Sequence, residues 1–118
     1  MTLNALKHGF IAASLFTATT LAAFTAHAED TLAMEIVVKD HVFSPAEMKL
    51  PKGKVVMLTI KNNNPTPMEF ESKPFKLEKP IKGNSSAVVR IKVPDEAGKI
   101  LFVDEPREDK TLGYFIVE

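Results

Sequence analysis

The stretch Met34-Glu35-Ile36-Val37-Val38-Lys39 decides the fold. Met34, Ile36 and Val38 share one parity, with Glu35 and Lys39 on the other. Successive side chains of an extended chain point to opposite faces, so this period of two reads as a half-buried strand. The pattern returns in Glu47-Met48-Lys49-Leu50, in Met68-Glu69-Phe70-Glu71 and in Ala87-Val88-Val89-Arg90-Ile91-Lys92-Val93. Val55 to Ile60 is short and almost continuously apolar, as a central strand covered on both sides would be, and Ile100 to Val103 and Tyr114 to Val117 complete the set.

The segments between these strands carry turn chemistry. Pro51-Lys52-Gly53-Lys54, Asn62-Asn63-Asn64-Pro65-Thr66-Pro67 and Pro94-Asp95-Glu96-Ala97-Gly98 hold the residues that set or tolerate turn dihedrals. Ser72 to Ser85 places Lys73, Lys76, Lys79 and Lys82 at intervals of three, but Pro74 and Pro80 spoil a helix there. A long surface loop with at most a short strand is expected instead. Seven short strands with turns between them predict an all-β chain folded as an antiparallel Greek-key β-sandwich. Met34, Met48 and Met57 are expected in its core.

Residues 1–28 read as a secretory signal: Lys7 is followed by the apolar stretch Gly9 to Phe24 and then by Thr25-Ala26-His27-Ala28, a small-x-small cleavage pattern. Cleavage after Ala28 would leave one domain, residues 29–118, and the expected location is periplasmic. The whole chain has 15 basic and 15 acidic side chains. The leader takes away Lys7 and no acid, so the exported form has a formal charge of −1, which offers no field for a phosphate backbone and argues against nucleic acid as a partner. Cysteine is absent, so packing alone must hold the domain.

His41 is the one histidine outside the leader, and no Gly-x-Ser-x-Gly turn or phosphate-cradling glycine loop occurs. That pattern argues against hydrolytic catalysis. Oxygen donors remain: Asp40 beside His41, Glu69 and Glu71 on one strand, and four carboxylates in Asp104-Glu105-Pro106-Arg107-Glu108-Asp109. Strand ends and loops meet at the pole of a sandwich, where carboxylates and one imidazole suit iron, manganese, zinc or Cu(II) better than Cu(I) held by thiolate. Met68 adds a thioether nearby. Each residue also has a plainer role: His41 as a solvated turn residue, Met68 as core, the glutamates as a wet face and the loop acids as solubilising charge.

The residues 38 to 54, Val-Lys-Asp-His-Val-Phe-Ser-Pro-Ala-Glu-Met-Lys-Leu-Pro-Lys-Gly-Lys, followed by Ile60-Lys61-Asn62-Asn63, Met68-Glu69-Phe70-Glu71-Ser72, Leu77-Glu78-Lys79 and Gly113-Tyr114-Phe115-Ile116-Val117, resemble the cupredoxin superfamily. More closely, they are similar to EfeO-type cupredoxin-like domains, which are associated with bacterial iron uptake and some of which bind copper or iron. The resemblance implies an iron or copper ion as cofactor and a membrane iron or copper permease, or a periplasmic protein, as partner. It implies a site made of Glu69, His41, Asp104 and Glu105, with Met68 as a possible soft ligand and Asp104 and Glu105 as its mobile part. A type 1 blue-copper centre is not implied, because its cysteine is missing and Arg107 stands where a histidine is expected. Against this stands a metal-free β-sandwich that serves as an interaction module through the lysine-bearing loop.

Overall fold

The computed structural model describes residues 31–118. The leader and its cleavage point lie outside the described residues.

Nine strands form two sheets. They are β1 (Thr31–Lys39), β2 (Val42–Ser44), β3 (Glu47–Leu50), β4 (Val55–Asn62), β5 (Met68–Ser72), β6 (Leu77–Ile81), β7 (Ser85–Lys92), β8 (Gly98–Asp104) and β9 (Leu112–Val117). One sheet has the order β2-β1-β4-β7 and the other β3-β9-β8-β5-β6. The described residues therefore form the expected all-β sandwich, with nine strands rather than seven.

The two additional strands explain the miscount. β2 has three residues and pairs with β1 across a two-residue turn, too short for a period to show. β6 lies inside the expected loop and contains Pro80, which a central strand would not tolerate because it cannot donate to a ladder; β6 is an edge strand, where that donor is not needed. Its alternation is clear once placed: Leu77, Lys79 and Ile81 are more buried than Glu78 and Pro80.

Two pairings, β1 with β4 and β3 with β9, are parallel, a departure from the wholly antiparallel expectation. After the β1–β2 hairpin the chain crosses to the other sheet for β3 and returns for β4, and such a crossover delivers a strand in the same direction as the one it joins. The Pro51–Lys54 turn makes the return, with Gly53 at φ +70°, a conformation glycine adopts without steric cost.

The inner faces bury Ile36, Val38, Val56, Leu58, Ile60, Val89 and Ile91 from the first sheet against Phe70, Phe102, Phe115 and Val117 from the second. Phe43, Phe70, Phe102 and Phe115 form a connected aromatic cluster with centroid separations from 4.6 to 6.0 Å, within the range for edge-on and tilted pairs. Met34 and Met48 pack with this core, but Met57 is half-buried on the other face of β4, whose inner parity belongs to Val56, Leu58 and Ile60.

Asn62, fully buried at the end of β4, fixes the approach to β5. Its Nδ2 is 2.9 Å from Thr66 O, 3.3 Å from Ile81 O and 3.1 Å from Lys82 O, while its Oδ1 accepts from the Asn64 N–H at 3.1 Å. This amide satisfies a turn that contains two prolines and so fixes where Met68 and Glu69 begin.

Candidate functional site

A chain of hydrogen bonds gathers three of the sequence-derived candidates at one pole. Thr111 Oγ1 donates to His41 O at 2.7 Å, Asp104 N donates to Thr111 O at 3.0 Å, and Glu69 N donates to Asp104 Oδ1 at 3.1 Å. The β1–β2 turn, the end of β8, the residue before β9 and the start of β5 are thereby tied together.

The individual side chains play different parts. Met68 is 4 % exposed and belongs to the core. Asp104 is 3 % exposed, with one oxygen committed to the Glu69 amide, so it is a held residue and not the mobile ligand the sequence suggested. Glu105 is exposed and opens a 3-10 turn over Glu105–Arg107. Arg107 is also exposed, and its carbonyl accepts from the amides of Lys110 and Thr111, so its backbone shapes the loop. His41 is half-buried in the turn, and its Nδ1 is buried without a hydrogen-bond partner.

The carboxylates converge elsewhere. Met68 and Phe70 of β5 face the core, so Glu69 and Glu71 share the outer face, and Glu71 lies opposite Glu78 of β6. Oxygen atoms of Glu69, Glu71 and Glu78 all lie within 4.8 Å of one another. Among the described residues His41, Asp104 and Glu105 form no such group with Glu69. Glu78 could not be found without knowing that residues 77–81 form a strand; the alternation of Leu77, Lys79 and Ile81 was the available signal.

Partial burial raises the Glu69 pKa above its ordinary value of 4.5, and the charges of Glu105, Glu78, Glu71 and Asp104 raise it further. The group is thus a concentration of like charge on a rigid strand pair, a set of hard oxygen donors that a cation would relieve. Lys73 approaches Glu71 to 4.0 Å but is 83 % exposed at its side chain, so it offsets little of this charge.

Comparison with known proteins gives the following. A model of the "Cupredoxin-like domain" family matches residues 10–117. An uncharacterized protein of Rickettsia prowazekii (strain Madrid E) is 32% identical over 89 residues, covering 75% of this chain and 70% of that protein. The metal binding domain of the Cu(I)-exporting P-type ATPase CopA of Streptococcus pneumoniae D39, solved with Cu(I), superposes with a TM-score of 0.64 at 19% identity, over 76% of this chain and 97% of that one. Auracyanin A, a blue copper protein of Chloroflexus aurantiacus, superposes with a TM-score of 0.62 at 16% identity, over 75% and 99% of the two chains. At these identities the superpositions show a shared fold.

Proposed function

The chain belongs to the cupredoxin-like domain family, and from that premise we propose that it is an exported metal-binding domain. It takes up iron or copper at a carboxylate site and hands the ion, or an electron, to a membrane uptake system. The observation that carries this reading is the Glu69, Glu71 and Glu78 group, with oxygens within 4.8 Å of one another. The copper bound by the CopA domain and by auracyanin A supports a metal for this fold.

A type 1 copper centre does not match the donors present. The chain has no cysteine, Met68 is in the core, and Asp104 is already bonded to the Glu69 amide. Three carboxylates suit iron or Cu(II) rather than Cu(I). His41, with its unpartnered Nδ1, is the nitrogen donor nearest in kind to what copper requires, and a ligand role for it needs the turn and Glu69 to close around the ion.

Glu69 is the central anion in this reading, Glu71 and Glu78 complete the oxygen set, and Glu105 is an exposed neighbour that draws cations toward it. A site that reaches the surface at Glu78 favours transfer over storage, because release requires access. In this reading the protein acts by binding, and oxidation of the bound ion would need a redox-active metal in the same site. The test is titration of chelator-stripped protein with Fe(II), Fe(III) and Cu(II), with Glu69→Ala and Glu78→Gln alongside. Binding tighter than roughly millimolar, about 4 kcal/mol, is expected, and both substitutions should weaken it. Failure of all three ions to reach that affinity would sink the proposal.

The exposed Lys73, Lys76 and Lys82 favour a second reading, in which the domain is a metal-free interaction module for an acidic partner. On that reading thermal stability does not respond to metal, whereas an ion bound only by the folded state raises stability with its concentration.

A further inference from the structure

We propose that the cavity beside Glu71, on the β8 side, is a binding site for a small alkylammonium ion. This goes beyond the metal reading and does not depend on it.

The cavity has a volume of ≈ 350 Å³, in the lower part of the range of small-molecule sites. Its apolar walls come from Leu101, Val103 and Pro74. Val103 stands opposite Glu71 in the β5–β8 pairing, so the buried carboxylate and the apolar wall are adjacent across one sheet. Glu108 and Asp109, exposed in the loop before β9, line the same cavity.

Glu71 makes the site more than an acidic surface. It is 6 % exposed, and Lys73, its ion-pair partner, is 4.0 Å away on a side chain 83 % in water. Lys73 at that distance makes no short charge-assisted hydrogen bond to Glu71, and a cation seated in the cavity against the carboxylate supplies one.

The wall chemistry selects the kind of cation. Side chains of Leu101, Val103 and Pro74 offer no ligand atoms, so a hydrated inorganic dication gains nothing from that wall, whereas an alkyl stem buries against it. A primary ammonium has three N–H donors for carboxylate oxygens, and its alkyl stem buries apolar surface. The neighbouring cavity of ≈ 370 Å³ shares Glu71 and Lys73 but is lined by Lys76, Leu77 and Glu78, so it already contains two lysines and lacks the apolar wall.

The test follows the methyl resonances of Leu101 and Val103 while hexylammonium is titrated into the full chain at about pH 7 with chelator present, conditions in which a primary amine stays protonated. Hexan-1-ol and hexanoate are titrated in parallel. Saturable shifts are expected with hexylammonium, about tenfold weaker binding with hexan-1-ol and none with hexanoate, as a charge-assisted hydrogen bond requires. Glu71→Gln should weaken hexylammonium binding about tenfold, and Lys73→Ala should strengthen it because a competing cation is gone. Equal binding of the alcohol and the amine, undiminished binding by Glu71→Gln, or unmoved Leu101 and Val103 methyls would each overturn the assignment. The amine-against-alcohol comparison uses the native chain, so it decides even if Glu71→Gln does not fold.

Discussion

Asp104 Oδ1 accepts a hydrogen bond from the backbone N–H of Glu69 at 3.1 Å, so the carboxylate that ends β8 fixes the first residues of the strand that carries the acidic group. Asp104 is 3 % exposed, so removing that acceptor leaves an amide with little water to replace it. Asp104→Ala should cost about 1–3 kcal/mol. Asp104→Asn keeps an acceptor oxygen and should lose less. Urea denaturation of the two variants decides the point: equal midpoints would show that the bond contributes nothing.

Glu69 makes stability depend on pH. Its folded pKa is raised, by partial burial first and then by Glu105, Glu78, Glu71 and Asp104, so the folded state holds the proton more firmly than the unfolded chain. The stability this confers is present below the unfolded value and is lost as pH rises through the folded value. The window therefore opens near the ordinary 4.5 and extends upward. Glu69→Gln should flatten that fall and leave the protein more thermally stable than the parent at neutral pH. Thermal melts across the acid range test this, and parallel profiles for parent and variant would refute it.

Gly113 and Gly98 form a matched pair of controls on the β8–β9 hairpin. A Cβ at Gly113 would collide with the Phe102 ring and lie 2.6 Å from Ala46 O, the carbonyl that accepts from Tyr114 N at 2.8 Å. Neither neighbour can retreat without disturbing the aromatic core or the bridge to Ala46, so Gly113→Ala should destabilise by about 1–3 kcal/mol. A Cβ at Gly98 meets nothing within 4 Å, and Gly98→Ala should be neutral or gain up to about 1 kcal/mol by restricting the unfolded chain. Similar denaturation midpoints for the two variants would contradict the packing described.

The strands that alternate over several residues were legible in the sequence because burial of one face demands that alternation. β1 and β7 show it most clearly. β2 was too short to carry a period and Pro80 disguised β6, whose edge position is a tertiary fact that local reading cannot supply. The parallel pairings likewise depend on where the chain crosses between sheets. The same limit applied to the site. Glu69 and Glu71 were legible from the alternation of their strand, but Glu78 joins them only through the β5–β6 register. Asp104 and His41 are linked through Thr111 by their main-chain atoms. A hydrogen bond made through a backbone amide, which composition does not reveal, determines what Asp104 does there.

His41 tests whether the polar turn serves binding or only the fold. Asp40 and His41 have φ of 51° and 60°, so both central residues of the β1–β2 hairpin are left-handed, as a two-residue turn of this hand requires. Glycine adopts that conformation without steric cost, whereas a residue with a Cβ gives up about 1 kcal/mol or more. The imidazole also buries Nδ1 without a partner, a further cost. Thr111 bonds to the His41 carbonyl, not to its side chain, so His41→Gly keeps that link. His41→Gly should therefore raise stability by about 1 kcal/mol, and lower stability would show that imidazole packing outweighs the backbone strain. Binding is read from the same variant. If the imidazole supplies the nitrogen donor, His41→Gly weakens Cu(II) at least tenfold, about 1.4 kcal/mol, while leaving a stable fold. A more stable variant with unchanged Cu(II) affinity would assign the ion to the carboxylates of Glu69, Glu71 and Glu78 alone.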